Sequence, residues 1–169
     1  AEMALFDIVE HARLAKDRGQ FAVALAFDWS KAFDRVPRKR IVDLLSQVEG
    51  LHPAYARWAC EFLAADWRTF CFQAKSWSEE FTTKESAHEL GVVQGSRIGP
   101  LCWLLLMDTL VSELNRKKGD RDRVVCFADD LTLLVVGNTA EEAKKRAQEL
   151  VSGVYRWTDD VGEGKLCLN

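Results

Sequence analysis

At 169 residues and 19.2 kDa the chain has the length of one ordinary domain. With 48% hydrophobic residues, 29% charged residues and only 10 Gly and 3 Pro, it is excluded from the disordered, collagen-like and Pro-rich stalk classes. The net charge of −3, from 23 Lys and Arg against 26 Asp and Glu, weighs against a domain built mainly to coat nucleic acid, and the longest apolar runs, Phe21–Phe27 and Leu101–Met107, fall far short of the roughly 20 residues a membrane helix needs.

Residues 2–18 predict a helix with Leu5, Ile8, Val9, Ala12 and Ala15 near one face, ended by Gly19. Phe21–Asp28 reads as a buried strand: Phe21, Val23, Leu25 and Phe27 fill core volume, and the small face of Ala22, Ala24 and Ala26 lets a helix approach. Pro37 and Pro53 open two helices, running to about Val48 and Ala65. Arg68–Ala74 and Ser76–Thr83 predict a hairpin. The Gly-containing segment Gly91–Pro100 leads into a long apolar helix ending near Lys117. Two short strands, Val124–Ala128 and Leu131–Val136, are joined tightly at Asp129 and Asp130. A helix over Ala140–Trp157 and an extended piece, Lys165–Leu168, complete the chain. No repeat, low-complexity run or linker interrupts this order. Strands flanked by helices, with a tight hairpin, point to an α+β sheet with helices packed mainly on one face.

The five cysteines, Cys60, Cys71, Cys102, Cys126 and Cys167, have no CxxC spacing and sit in apolar stretches, so reduced core thiols are expected. His11, His52 and His88 lie far apart and read as surface or loop residues. Nothing at the N-terminus resembles a secretory signal, and an intracellular protein is expected. Two basic stretches stand out: Arg35, Arg38, Lys39 and Arg40, and then Arg116, Lys117, Lys118, Arg121 and Arg123 against Asp120 and Asp122. Each is either a phosphate contact or a solvated face.

Chemistry concentrates in three carboxylates. Asp28 ends a strand whose seven preceding residues are all apolar, and Asp129 and Asp130 interrupt two apolar strands. As turn formers the pair has an ordinary explanation, since Asp tolerates tight hairpin geometry. Adjacent like charges nevertheless repel, and a turn selected only for folding more often uses Asp-Gly or Asn-Gly. If the Asp28 strand lies beside this hairpin, three hard oxygen donors meet at one sheet edge, a set suited to Mg²⁺ or Mn²⁺ rather than zinc. Two such ions would clamp the attacking and leaving oxygens of a phosphoryl transfer. No GxSxG elbow, GxxxxGK[ST] loop or Cys-His pair competes with this reading.

Three segments in order, Phe27-Asp28-Trp29-Ser30-Lys31-Ala32-Phe33-Asp34, Gly91-Val92-Val93-Gln94-Gly95-Ser96-Arg97-Ile98-Gly99-Pro100 and Phe127-Ala128-Asp129-Asp130, resemble the reverse transcriptases of non-long-terminal-repeat (LINE-type) retrotransposons. The resemblance covers nearly the whole chain. It implies a polymerase-type palm with part of the fingers, spanning residues 1–169 as a single domain truncated at both ends, with the thumb and an endonuclease domain elsewhere. It implies an RNA-directed DNA polymerase that uses two Mg²⁺ ions, Mn²⁺ substituting, and takes an RNA template, a DNA primer and deoxynucleoside triphosphates, with no membrane partner and a nuclear place of work at the integration site. By it, Asp28 and Asp129 are the principal metal ligands and Asp130 the accessory one. Phe33 lies beneath the sugar of the incoming nucleotide and excludes a ribose 2′-hydroxyl; the alternative is a plain helix-entry core aromatic. Gln94 and Gly95 support the nucleotide and template base, though alone they would read as an ordinary Gly turn. Asp34 is structural, pairing with Arg35 or Arg38. Val93 departs from the family, which mostly has proline there, and substrate grip is expected to draw also on the fingers and thumb. Two other classes fit the layout less well. A non-catalytic palm scaffold binding RNA or protein has no need of three repelling acids, and a nucleotide cyclase has no use for the Gln94-Gly95 loop.

Overall fold

The computed structural model describes residues 2–64, 69–70, 73–75, 80–82, 86–87, 90–92, 95–161 and 166–168. Helix α1 (Glu2–Asp17) precedes strand β1 (Phe21–Phe27), a 3₁₀ turn (Ala32–Arg35), α2 (Arg38–Leu45) and α3 (Pro53–Ala64). Four short strands follow, β2 (Thr69–Phe70), β3 (Gln73–Lys75), β4 (Glu80–Thr82) and β5 (Ser86–Ala87), then α4 (Ile98–Lys117), β6 (Arg123–Phe127), β7 (Asp130–Gly137) and α5 (Ala140–Val161).

The main sheet is antiparallel in the order β1-β7-β6. Its register runs from Phe21 opposite Gly137 to Phe27 opposite Leu131, and from Arg123 opposite Leu134 to Phe127 opposite Asp130. The period of two decides which residue meets which layer. On β7, Leu131, Leu133 and Val135 join the larger core under α4 and α5, where Leu106, Leu110, Leu150 and Val154 are buried and Val23, Leu25 and Phe27 of β1 pack alongside. Leu134 and Val136 turn to the other face and meet Ile8 and Ala15 of α1. A strand buried on both faces must be apolar throughout, which is why Leu131–Val136 is nearly so.

Several expectations shift. Strand β1 is an edge strand rather than a buried one. On its large face Val23, Leu25 and Phe27 are packed but Phe21 is 51% exposed, and Ala22, Ala24 and Ala26 are exposed, because the side chains buried under α1 belong to β7 and β6. Leu5 and Val9 of α1 are exposed at 66% and 56%, and the buried stripe narrows to Ile8, Ala12 and Ala15. The hairpin expected from residue 68 onward consists of two ribbons, β3 with β4 and β2 with β5. Helix α2 stops at Leu45, while α5 runs past Trp157 to Val161, with the Thr158 hydroxyl donating to the Val154 carbonyl at 2.9 Å. His11 lies at the surface, part-buried against Asp7 and Arg123, and Cys167 is exposed rather than core. Cys71, His88 and Lys165 lie outside the described residues. Among the described residues no helix is long and apolar enough to cross a membrane.

Candidate active site

Strand β1 ends at Phe27 opposite Leu131, the residue after Asp130, so Asp28 leaves the strand at the end of the sheet where β7 begins. The pair Phe127 and Asp130 closes the β6–β7 hairpin and leaves Ala128 and Asp129 as its turn, one residue earlier than the acids suggest from sequence. Asp28, Asp129 and Asp130 therefore share one edge of the sheet, where neighbouring strands lie about 4.8 Å apart. Asp28 and Asp130 are exposed and Asp129 is half-buried. Among the described residues neither Asp129 nor Asp130 has a hydrogen bond or ion pair at its carboxylate.

The turn is held in an unusual conformation. Ala128 has φ of 54°, the left-handed region that tight hairpin turns normally give to glycine, at a cost of about 1–2 kcal/mol for an L-residue. Its carbonyl accepts a 2.8 Å hydrogen bond from the indole Nε1 of Trp103, a residue of α4 that is 1% exposed. Burial first, and then the charges of Asp130 and Asp129, push the Cys126 thiol above its ordinary range. It is kept a neutral thiol, which is a poor metal ligand.

Phe33 sits in the 3₁₀ turn with its ring 5.8 Å from that of Trp103, tilted by 44°. Trp29, directly after Asp28, is 2% exposed and meets Trp103 and Trp157 edge-on at 6.0 and 6.1 Å. The glycine loop is tied to the same turn. Val92 N donates to Phe33 O at 2.9 Å and Gly91 N to Val36 O at 2.8 Å, while Arg38 donates to the carbonyls of Gly91 and Leu90 at 2.7 and 2.9 Å. A Cβ on Gly91 would lie 2.7 Å from Asp34 O, so only glycine permits this approach. Gly95 is exposed with φ of 79° and open space around it, so here glycine serves the backbone angle rather than close approach. Gln94 and Val93 lie outside the described residues.

The basic stretches divide. Arg38 is a clamp on residues 90 and 91, and Arg123 donates to the Asp120 and Asp122 carbonyls and contacts His11. Trp103, Gly91 and Arg38 escape sequence reading because a Trp in an apolar helix, a loop glycine and one Arg among several carry no local mark of their partners.

The carboxylates are a hard donor set, appropriate to a divalent cation bound through oxygen. Among the described residues no group of three or more His, Cys, Asp or Glu side chains is arranged to hold a metal ion. The edge is an open carboxylate shelf, compatible with Mg²⁺, which takes one or two carboxylates and completes its shell with water and substrate phosphates.

Comparison with known proteins gives a family match over residues 3–165 to reverse transcriptase (RNA-dependent DNA polymerase). A curated relative, the retrovirus-related Pol polyprotein from type-1 retrotransposable element R1 of Nasonia vitripennis, is 39% identical over 72 residues, 43% of this chain and 20% of the relative. The chain thus matches about a fifth of that protein's length. Among solved structures, apo telomerase from Candida tropicalis aligns with TM-score 0.63 and 14% identity, covering 99% of this chain and 34% of that one. Telomerase from Candida albicans, in complex with the TWJ fragment of telomeric RNA, aligns with TM-score 0.55 and 14% identity, covering 96% and 31%. At this identity the structural likeness concerns the fold: an α+β polymerase palm with part of the fingers.

Proposed function

The chain belongs to the reverse transcriptase family, and we propose that it is the palm core of the RNA-directed DNA polymerase of a non-LTR retrotransposon, adding deoxynucleotides to a primer 3′-hydroxyl on an RNA template. The observation that carries this is the shared sheet edge: the β1–β7 register sets the step after Phe27 beside the β6–β7 turn. Asp28 and Asp129 would hold two divalent cations, Mg²⁺ or Mn²⁺, with Asp130 as accessory ligand. Bound there, the ions supply a Lewis acid at the attacking 3′-oxygen and at the departing pyrophosphate.

The remaining work falls to this chain's own groups. Phe33 packs on buried Trp103, which gives the ring a fixed wall on which to exclude a 2′-hydroxyl. The Gly91–Gly95 loop, fastened to Phe33, Val36 and Arg38, would carry Gln94 and Gly95 toward the nucleotide and template base. The exposed acids accept cations without first giving up protein partners on Asp129 and Asp130. The work site would be nuclear, where an integrating element meets its DNA, and the chain would act as a single palm unit within a larger polymerase.

Primer extension on an RNA template with Mg²⁺, paired with calorimetric titration of Mn²⁺, tests the reading. Incorporation and ion binding that Asp28→Asn and Asp129→Asn each abolish are expected. Ion binding or incorporation unchanged in both variants overturns it.

A further inference from the structure

Trp103 contacts three residues that sit in or beside the proposed site: Ala128, Trp29 and Phe33. Its indole N–H bonds the carbonyl of Ala128, the residue before Asp129. Its ring meets that of Trp29, the residue after Asp28, in a T-shaped pair at 6.0 Å, and that of Phe33 in a tilted pair at 5.8 Å. It is 1% exposed and held in α4 between Cys102 and Leu106, both also buried. It therefore cannot move without disturbing the core.

The bond goes to a strained place. Left-handed alanine persists only where the surroundings over-determine it. The other group aimed at the same carbonyl is the Cys126 thiol at 3.7 Å, a weak donor. Phenylalanine in place of Trp103 would fill most of the same volume, but it has no donor. Such a replacement therefore isolates what the N–H contributes at the turn.

We propose that Trp103 is a positioning residue, whose indole N–H locks the Ala128–Asp129 turn so that Asp129 is presented beside Asp28, and whose ring sets the height of Phe33. One donor would thereby couple metal affinity to sugar discrimination. The inference rests on the reading of Asp28 and Asp129 as cation ligands and of Phe33 as the sugar gate.

The test uses the 169-residue chain with Trp103→Phe and, at the same position, the benzothienyl isostere of tryptophan, which keeps the shape of the indole and removes only the N–H. Amide hydrogen exchange over residues 127–131 is expected to accelerate at least about tenfold in both, with the amides of α5 unchanged. Mn²⁺ affinity by electron paramagnetic resonance should weaken about tenfold, the scale of losing a group that orients a metal ligand. Unchanged exchange at the turn in the isostere overturns the proposal even if Trp103→Phe unfolds the chain, because the isostere preserves packing. Asp129→Asn separates the two readings. If it leaves Mn²⁺ binding intact the cation site is wrong, whereas the exchange result still decides what Trp103 holds.

Discussion

The two ends of the β6–β7 hairpin treat their aspartates in opposite ways. At the open end Asp122 is 1% exposed and fully engaged: it accepts the Gly119 and Val136 amides at 2.7 and 2.9 Å and pairs with Arg146, which also donates to Val136 O at 2.8 Å. At the closed end Asp129 and Asp130 have no such partner among the described residues. A buried carboxylate is tolerated only when paired and hydrogen-bonded, so Asp122 is committed to joining β7, the loop before β6 and α5. The acids at the turn contribute repulsion to the fold, and on the proposed reading a cation would relieve it. Burial and pairing thus set Asp122 apart from the two acids at the turn.

Substitutions at the two ends should therefore fail in different ways. Asp129→Asn should cut deoxynucleotide incorporation by about three orders of magnitude through lost charge stabilisation of the transition state, while shifting urea unfolding by no more than about 0.5 kcal/mol. A large loss of stability here would erase the contrast. Asp122→Ala should do the reverse, costing about 3 kcal/mol in urea unfolding because Arg146 is left without its buried partner. That is the lower end of the range for a broken buried pair, since the Arg146 side chain is 26% exposed. A change below about 0.5 kcal/mol would show that Asp122 is not the anchor.

A pair of glycines sharpens the same distinction between contact and availability. Gly91→Ala combines a positive φ with a clash on Asp34 O and should cost about 2–3 kcal/mol. Gly95→Ala, with open space around it, should cost only the conformational part, about 1 kcal/mol. Equal losses in thermal melts of the two would contradict the close approach at Gly91. The smallest expected effect concerns Cys126. Burial is the main reason its thiol titrates high, and Asp130 is the larger of the two charge contributions. The neutral thiol is favoured in the folded chain, so stability from this group is lost as pH rises from the ordinary thiol range toward the raised folded value. Asp130→Asn removes one negative neighbour and lowers that folded value. Alkylation of Cys126 by iodoacetamide at fixed mildly alkaline pH should then speed up about two- to threefold, and a slower rate would reverse the sign assigned here.

What could be read from sequence was whatever carries its own local signature. Asp28 at the end of an unbroken apolar run and two acids between apolar strands mark a strand terminus and a hairpin without reference to any other part of the chain. The shift of the turn to Ala128 and Asp129 was hidden, because alanine is a poor candidate for a positive φ and its conformation depends on a donor 25 residues away. Asp122, flanked by Arg121 and Arg123, looks like one more surface charge, and only the arrival of Arg146 from α5 shows otherwise. The open Ala face of β1 was misread for a similar reason. Small residues permit a helix to approach, but which strands α1 covers is decided by Leu134 and Val136 on β7.

The sharing of one ion by two distant segments is best tested with Mn²⁺ added to isotope-labelled chain, reading paramagnetic broadening amide by amide. Broadening centred together on Asp28 and on Ala128–Asp130, sparing the amides around Asp122, is expected. Broadening at only one of those two segments, or strongest at the Asp122 end, would contradict a common cation site and with it the polymerase chemistry.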